Sequence, residues 1–118
     1  MKINKCLFPV AGYGTRFLPS TKAIPKEMLP ILTKPLIHYG IDEAISAGIT
    51  NIAMVTNENK KAIKNYFEAH ADIENIIKGT NKEHLLDELN YLSEKCNFSY
   101  VNQEQMLGLG HAIFTGKA

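Results

Sequence analysis

The sequence predicts an α/β layered fold with a mostly parallel sheet. Two observations carry this. Short continuous apolar runs, Lys5–Ala11 and Asn51–Thr56 among them, alternate with segments whose apolar residues follow helical spacing. Each run is bounded by glycine, proline or asparagine, which is how buried parallel strands are punctuated. With 118 residues, 45% of them hydrophobic and 21% charged, the chain can build one ordinary core.

The first run, Lys-Cys-Leu-Phe-Pro-Val-Ala over Lys5–Ala11, reads as a buried strand, with Pro9 marking where it leaves the sheet. Gly12–Thr33 holds two glycines and three prolines and reads as a long functional loop. Pro35 is expected at the first helical position of an element with Ile37, Ile41, Ala44 and Ile45 on one face and Gly48 as its stop. Asn51–Thr56 follows as a second strand. Asn57 is expected to cap a helix over Glu58–His70 that turns Ile63, Tyr66 and Phe67 inward. Residues 71–81 read as loop or a short apolar edge. Lys82–Cys96 reads as a helix with Leu85, Leu89, Leu92 and Cys96 on one face, and Phe98–Asn102 as a third strand. From Gly108 a turn enters a helix with no visible stop, which predicts an incomplete chain.

Bulk properties exclude several classes. The net charge of +1 gives no general drive toward nucleic acid or an anionic membrane. No apolar run approaches the ~20 residues that span a bilayer, and the N-terminus lacks the apolar core and cleavage site of a signal peptide. Cys6 and Cys96 form no Cys-x-x-Cys pair and read as reduced core thiols, which points to the cytoplasm. His38, His70 and His84 show no metal-ligand pairing, and His111 reads as a structural helix-start residue.

The chemistry concentrates after the first strand, where α/β sheets bind ligands. Ala11-Gly12-Tyr13-Gly14-Thr15-Arg16-Phe17-Leu18-Pro19 leads into Thr21-Lys22 and Pro25-Lys26-Glu27-Met28-Leu29-Pro30. The glycines let backbone N–H groups approach a ligand closely. Residues 14–34 carry Arg16, Lys22, Lys26 and Lys34 against the single carboxylate of Glu27. Arg16 is the only arginine of the chain, and a planar guanidinium in a glycine loop suits phosphate. Phe17 stands where a dinucleotide fingerprint needs a third small residue, and no Gly-Lys-Ser/Thr occurs, so neither familiar phosphate loop is present.

The whole string closely resembles the N-terminal signature of the sugar nucleotidyltransferases, Gly-x-Gly-Thr-Arg-x-x-Pro followed by Pro-Lys and Leu-Pro. A second block, Gln103 followed by Gly108-Leu109-Gly110-His111-Ala112, matches the same family. The stretch Lys22–Pro30 looks most like the uridylyl-transferring branch. The resemblance runs along the entire chain, densest at residues 5–48 and 101–113.

The resemblance implies a Rossmann-like fold, with residues 1–118 as the N-terminal nucleotide-binding part of a nucleotidyltransferase domain. It implies synthesis of UDP-glucose and pyrophosphate from UTP and glucose 1-phosphate, with magnesium. Ala11, Gly12 and Gly108 would present backbone to the uracil, and Gln103 would read its edge. Gly14 and Thr15 would line the phosphates, and Arg16 and Lys26 would clamp the triphosphate. No metal ligand is expected within the chain, because the family's metal carboxylate would lie beyond residue 118. The chain by itself is therefore expected to be inactive. A thymidylyl- or cytidylyltransferase and a non-catalytic nucleotide-sugar binding module are the alternatives. A second copy of the chain is the expected protein partner.

Overall fold

The structure is a computed structural model that describes residues 3–57, 60–68, 71–104 and 108–116. In chain order the elements are β1 (Lys5–Pro9), the short strands β2 (Pro30–Ile31) and β3 (Lys34–Pro35), α1 (Leu36–Ser46), β4 (Asn51–Thr56), α2 (Lys61–Phe67), α3 (Ala71–Ile77), α4 (Asp87–Lys95), β5 (Asn97–Asn102) and α5 (Leu109–Thr115). β1, β4 and β5 form one parallel sheet with β4 in the centre, and β2 and β3 form a small antiparallel hairpin.

The alternation of side chains along the strands explains the layers. Cys6, Ile52 and Phe98 stand side by side in register, as do Phe8, Met54 and Tyr100. These rows face the core with Ile37, Ile41 and Ala44 of α1, Ile63 and Phe67 of α2, and Leu92 of α4. Ile41, Met54, Ile63 and Leu92 are wholly withdrawn from water, each worth about 1.5–3 kcal/mol of burial. Leu7 and Val55 point the other way and lie against Gly116, at the end of α5. The sheet thus carries helices on both faces, the layered arrangement expected of alternating strands and helices.

Several elements fall where the sequence puts them. β4 matches its expected span, and β1 leaves the sheet at Pro9. α1 ends in a Schellman closure: Gly48, at φ 83°, donates to the Ile45 carbonyl, and the Ile49 N–H reaches Ala44 at 2.9 Å.

Others differ. β1 is only half-buried, because it forms an edge of the sheet rather than its centre. Pro35 pairs with Pro30 in the hairpin, and the helix begins one residue later. α2 starts at Lys61 with Lys60 in the cap position, and the side-chain amide of Asn57 donates to the Ala11 carbonyl. The expected ends of that helix at Glu58 and His70 lie outside the described residues. Residues 71–77, read as loop or edge, form α3, a helix with Ile73 and Ile76 exposed. The expected helix over Lys82–Cys96 divides into a 3₁₀ turn over Glu83–Leu86 and then α4, which turns Leu85 out to 64% exposure. α5 also has a stop: Gly116 caps it, with its N–H on the Ala112 carbonyl.

Candidate functional site

The carboxyl ends of the three parallel strands bring the two motif blocks together. Beyond β1, the Val10 N–H reaches the Val55 carbonyl at 2.9 Å, and Ala11 follows, almost fully buried. Beyond β4, the Asn57 side chain donates to the Ala11 carbonyl at 2.6 Å. Beyond β5, the Gln103 N–H donates to the Thr56 carbonyl at 2.6 Å. Ala11, Asn57 and Gln103 therefore stand along one edge of the sheet, although 92 residues separate the first from the last in the chain.

The glycine loop is built tightly around Gly14. This residue has φ 65°, and its carbonyl accepts from the Thr21 hydroxyl at 2.6 Å. A Cβ there would stand 3.1 Å from the Thr21 methyl and 3.2 Å from the Lys26 Cβ. Gly14 thus lets the Lys26 stem close onto the loop. A Cβ at Gly12 would meet nothing within 4 Å, so the backbone there faces open space. Thr15 and Arg16 lie on an exposed 3₁₀ turn, Thr15–Phe17. A cleft of 360 Å³ opens beside the loop, lined by Tyr13, Thr21, Lys22, Pro25, Asn57 and Lys60. A separate apolar groove of 470 Å³ runs among Met28, Tyr66, Ile73 and Leu89 and contains none of the sequence-predicted site residues.

The charges sort themselves. Glu27 is 7% exposed, and its Oε1 lies 2.8 Å from Nζ of Lys60, itself 5% exposed. Lys34 is drawn away to Glu88 and Asp42 on the helices. Arg16, Lys22 and Lys26 make no ion pair among the described residues. The loop's one carboxylate is neutralised inside, and its cations stay available outside. That arrangement suits a polyanionic ligand.

Gln103 is 3% exposed, and its Nε2 lies 2.8 Å from Nδ1 of the half-buried His111. Gly108, at φ 92°, turns the chain into α5, where an added Cβ would also meet open space. The structure thus brings Ala11, Gly12, Gly14, Thr15, Arg16 and Lys26 into one loop, with Gln103 beside it at the sheet edge. Residues 105–107, between Gln103 and Gly108, lie outside the described residues.

The sequence reading missed Lys60, gave Asn57 to a helix cap, and assigned His111 no ligand-related role. Lys60 precedes another lysine on a surface-like helix start, so no local signal marks it as buried. The one clue was the carboxylate at Glu27, which needed a partner if the loop packed down.

The donor set of the described residues does not fit a resident magnesium ion. Among the described residues no three His, Cys, Asp or Glu side chains gather at metal-binding distance. Glu27, the only carboxylate of the loop, is held by Lys60.

The chain is similar to known proteins along almost its whole length. The nucleotidyl transferase family profile matches residues 9–118. A UTP–glucose-1-phosphate uridylyltransferase of Pseudomonas aeruginosa is 56% identical over 115 residues, covering 98% of this chain and 41% of the relative. The crystal structure of an apo UDP-glucose pyrophosphorylase superposes with a TM-score of 0.91 at 59% identity, over 98% of this chain and 42% of that one. A UDP-glucose pyrophosphorylase complexed with UDP-glucose gives 0.80 at 53% identity, over 98% and 40%. The chain therefore spans well under half the length of the proteins it matches.

Proposed function

The chain belongs to the nucleotidyl transferase family, and from that premise we propose that it is the nucleotide-binding part, residues 1–118, of an enzyme that forms UDP-glucose and pyrophosphate from UTP and glucose 1-phosphate. The observation that carries this reading is the meeting of the cationic glycine loop with Gln103 at one sheet edge, tied through Asn57 and Thr56.

In this reading Ala11, Gly12 and Gly108 offer backbone to the uracil, and Gln103 hydrogen-bonds its edge. Gly14 and Thr15 line the phosphates. Arg16 and Lys26 bind the triphosphate. The sugar-phosphate oxygen attacks the α-phosphorus, the new P–O bond forms as the bond to the β-phosphate oxygen breaks, and the electron pair leaves with pyrophosphate. Such transfers depend on positioning and on cations near the developing charge. Arg16 and Lys26 would supply that charge, since neither is neutralised by a carboxylate among the described residues.

A divalent cation would add charge neutralisation on the phosphates. Its carboxylates are not among the residues gathered here. The free thiols of Cys6 and Cys96 support a cytoplasmic location, and among the described residues no helix is long and apolar enough to cross a membrane. Exposed apolar residues such as Leu32 and Ile76 favour self-association.

The test is calorimetric titration of this chain with UTP, dTTP, CTP and GTP, with Arg16→Ala as control. Selective UTP binding that Arg16→Ala weakens is the expected result. Equal affinity of the wild type and Arg16→Ala for UTP would remove the clamp from the reading.

A further inference from the structure

The 2.8 Å contact between Gln103 Nε2 and His111 Nδ1 does more than fill space. An amide nitrogen carries only hydrogens and can only donate, so Nδ1 must accept. The imidazole is then neutral, with its proton on Nε2. With Nε2 of Gln103 committed, the other end of the amide, Oε1, is the group left to face a ligand. No hydrogen bond to it occurs among the described residues, and it is not sealed off as a buried unpartnered atom.

We propose that His111 is a specificity-positioning residue: it locks the Gln103 amide so that an acceptor oxygen, not a donor nitrogen, meets the base edge. The inference rests on the nucleotide reading above. A fixed acceptor selects pyrimidines that carry N–H at ring position 3, which uracil and thymine do. It rejects cytosine, whose N3 is an acceptor and would face Oε1 with no proton between them. A freely rotating amide offers either end and discriminates poorly. The contact therefore turns a two-faced side chain into a one-faced reader, at a residue that is 3% exposed and has little other freedom. His111 needs no contact with the nucleotide to do this.

Two measurements test it. Titration of the full chain with UTP and with CTP compares wild type, His111→Ala and His111→Asp. Aspartate places an oxygen where Nδ1 stands and, when ionised, can only accept. The UTP-over-CTP preference should fall by about tenfold in His111→Ala, the scale of an unmade hydrogen bond at a buried group, and return in His111→Asp. Nitrogen NMR of the wild type should show His111 Nδ1 without a proton. This second readout needs neither a variant nor a nucleotide. An undiminished preference in folded His111→Ala, or a proton found on Nδ1, overturns the inference and leaves the nucleotide site standing. A wild type that binds neither nucleotide overturns the nucleotide reading and this inference with it.

Discussion

Lys60 Nζ lies 2.8 Å from Glu27 Oε1, and both side chains are withdrawn from solvent. The contact ties the start of α2 to the second half of the glycine loop, 33 residues earlier. Because Glu27 turns inward, its neighbour Lys26 is left with its stem against Gly14 and its ammonium without a carboxylate among the described residues.

The first prediction follows from the burial of that pair. Removing one partner leaves an uncompensated charge inside, which costs about 3–5 kcal/mol. Lys60→Met alone and Glu27→Leu alone should each lower the urea midpoint strongly. The double variant should recover most of the loss, since two apolar side chains of similar volume carry no stranded charge. A double variant no more stable than either single one would show that the pair is not isolated from its surroundings.

Arg16 predicts the opposite pattern. It is exposed and makes no ion pair among the described residues, so Arg16→Ala should change stability by no more than about 0.5 kcal/mol. In the proposed uridylyltransferase the same change should reduce turnover by about 100-fold, as loss of an electrostatic stabiliser does elsewhere. Normal turnover of Arg16→Ala would refute its role. Denaturation and steady-state kinetics on one preparation separate the two effects.

What the sequence made legible followed from locality. β4 and the closure at Gly48 were readable because a continuous apolar run and a glycine stop are local signals. The Gly-x-Gly loop and Gln103 could be singled out because each sits in a short local pattern, whereas their meeting at one sheet edge is set by the fold. Lys60 was not, since its burial depends on a carboxylate 33 residues away. Leu85 failed for a related reason. Its helical spacing with Leu89 is genuine, but the Glu83–Leu86 turn is 3₁₀ and rotates it away from the face that Leu89 and Leu92 share. α3 was missed because Ile73 and Ile76 are exposed, so burial leaves no clear periodic trace.

Gly14 and Gly48 provide a matched comparison. Both hold positive φ, 65° and 83°, so alanine at either should cost about 1–2 kcal/mol. Their surroundings differ. A Cβ at Gly48 meets nothing within 4 Å, whereas one at Gly14 crowds Thr21 and Lys26. Gly48→Ala should therefore destabilise without changing UTP affinity. Gly14→Ala should do both, because relief of the contact displaces Lys26. Equal UTP affinity in the two variants would separate Gly14 from the phosphate site.

The pH dependence of stability should have two limbs that share one contact. His38 is 1% exposed, and its Nδ1 lies 2.6 Å from the Tyr66 hydroxyl. Burial holds the His38 pKa below its ordinary value, with Asp42 opposing the shift in part. The unfolded chain then binds the proton first, at about 6.5. The contribution of His38 is complete above that pH and is lost as pH falls below it, until the folded ring is also protonated. Burial pushes Tyr66 and Tyr100 the other way, each up to about 12. Their contribution is complete below about 10, where unfolded tyrosine begins to ionise, and is lost between there and about 12. His38→Asn keeps a polar atom where Nδ1 meets Tyr66 but removes the titrating ring. It should lower stability at pH 7 yet flatten the slope just below pH 6.5, leaving the alkaline limb of Tyr100 in place. Urea midpoints measured from pH 4 to 11 would show this. An unchanged acid slope in His38→Asn would assign that limb to other groups.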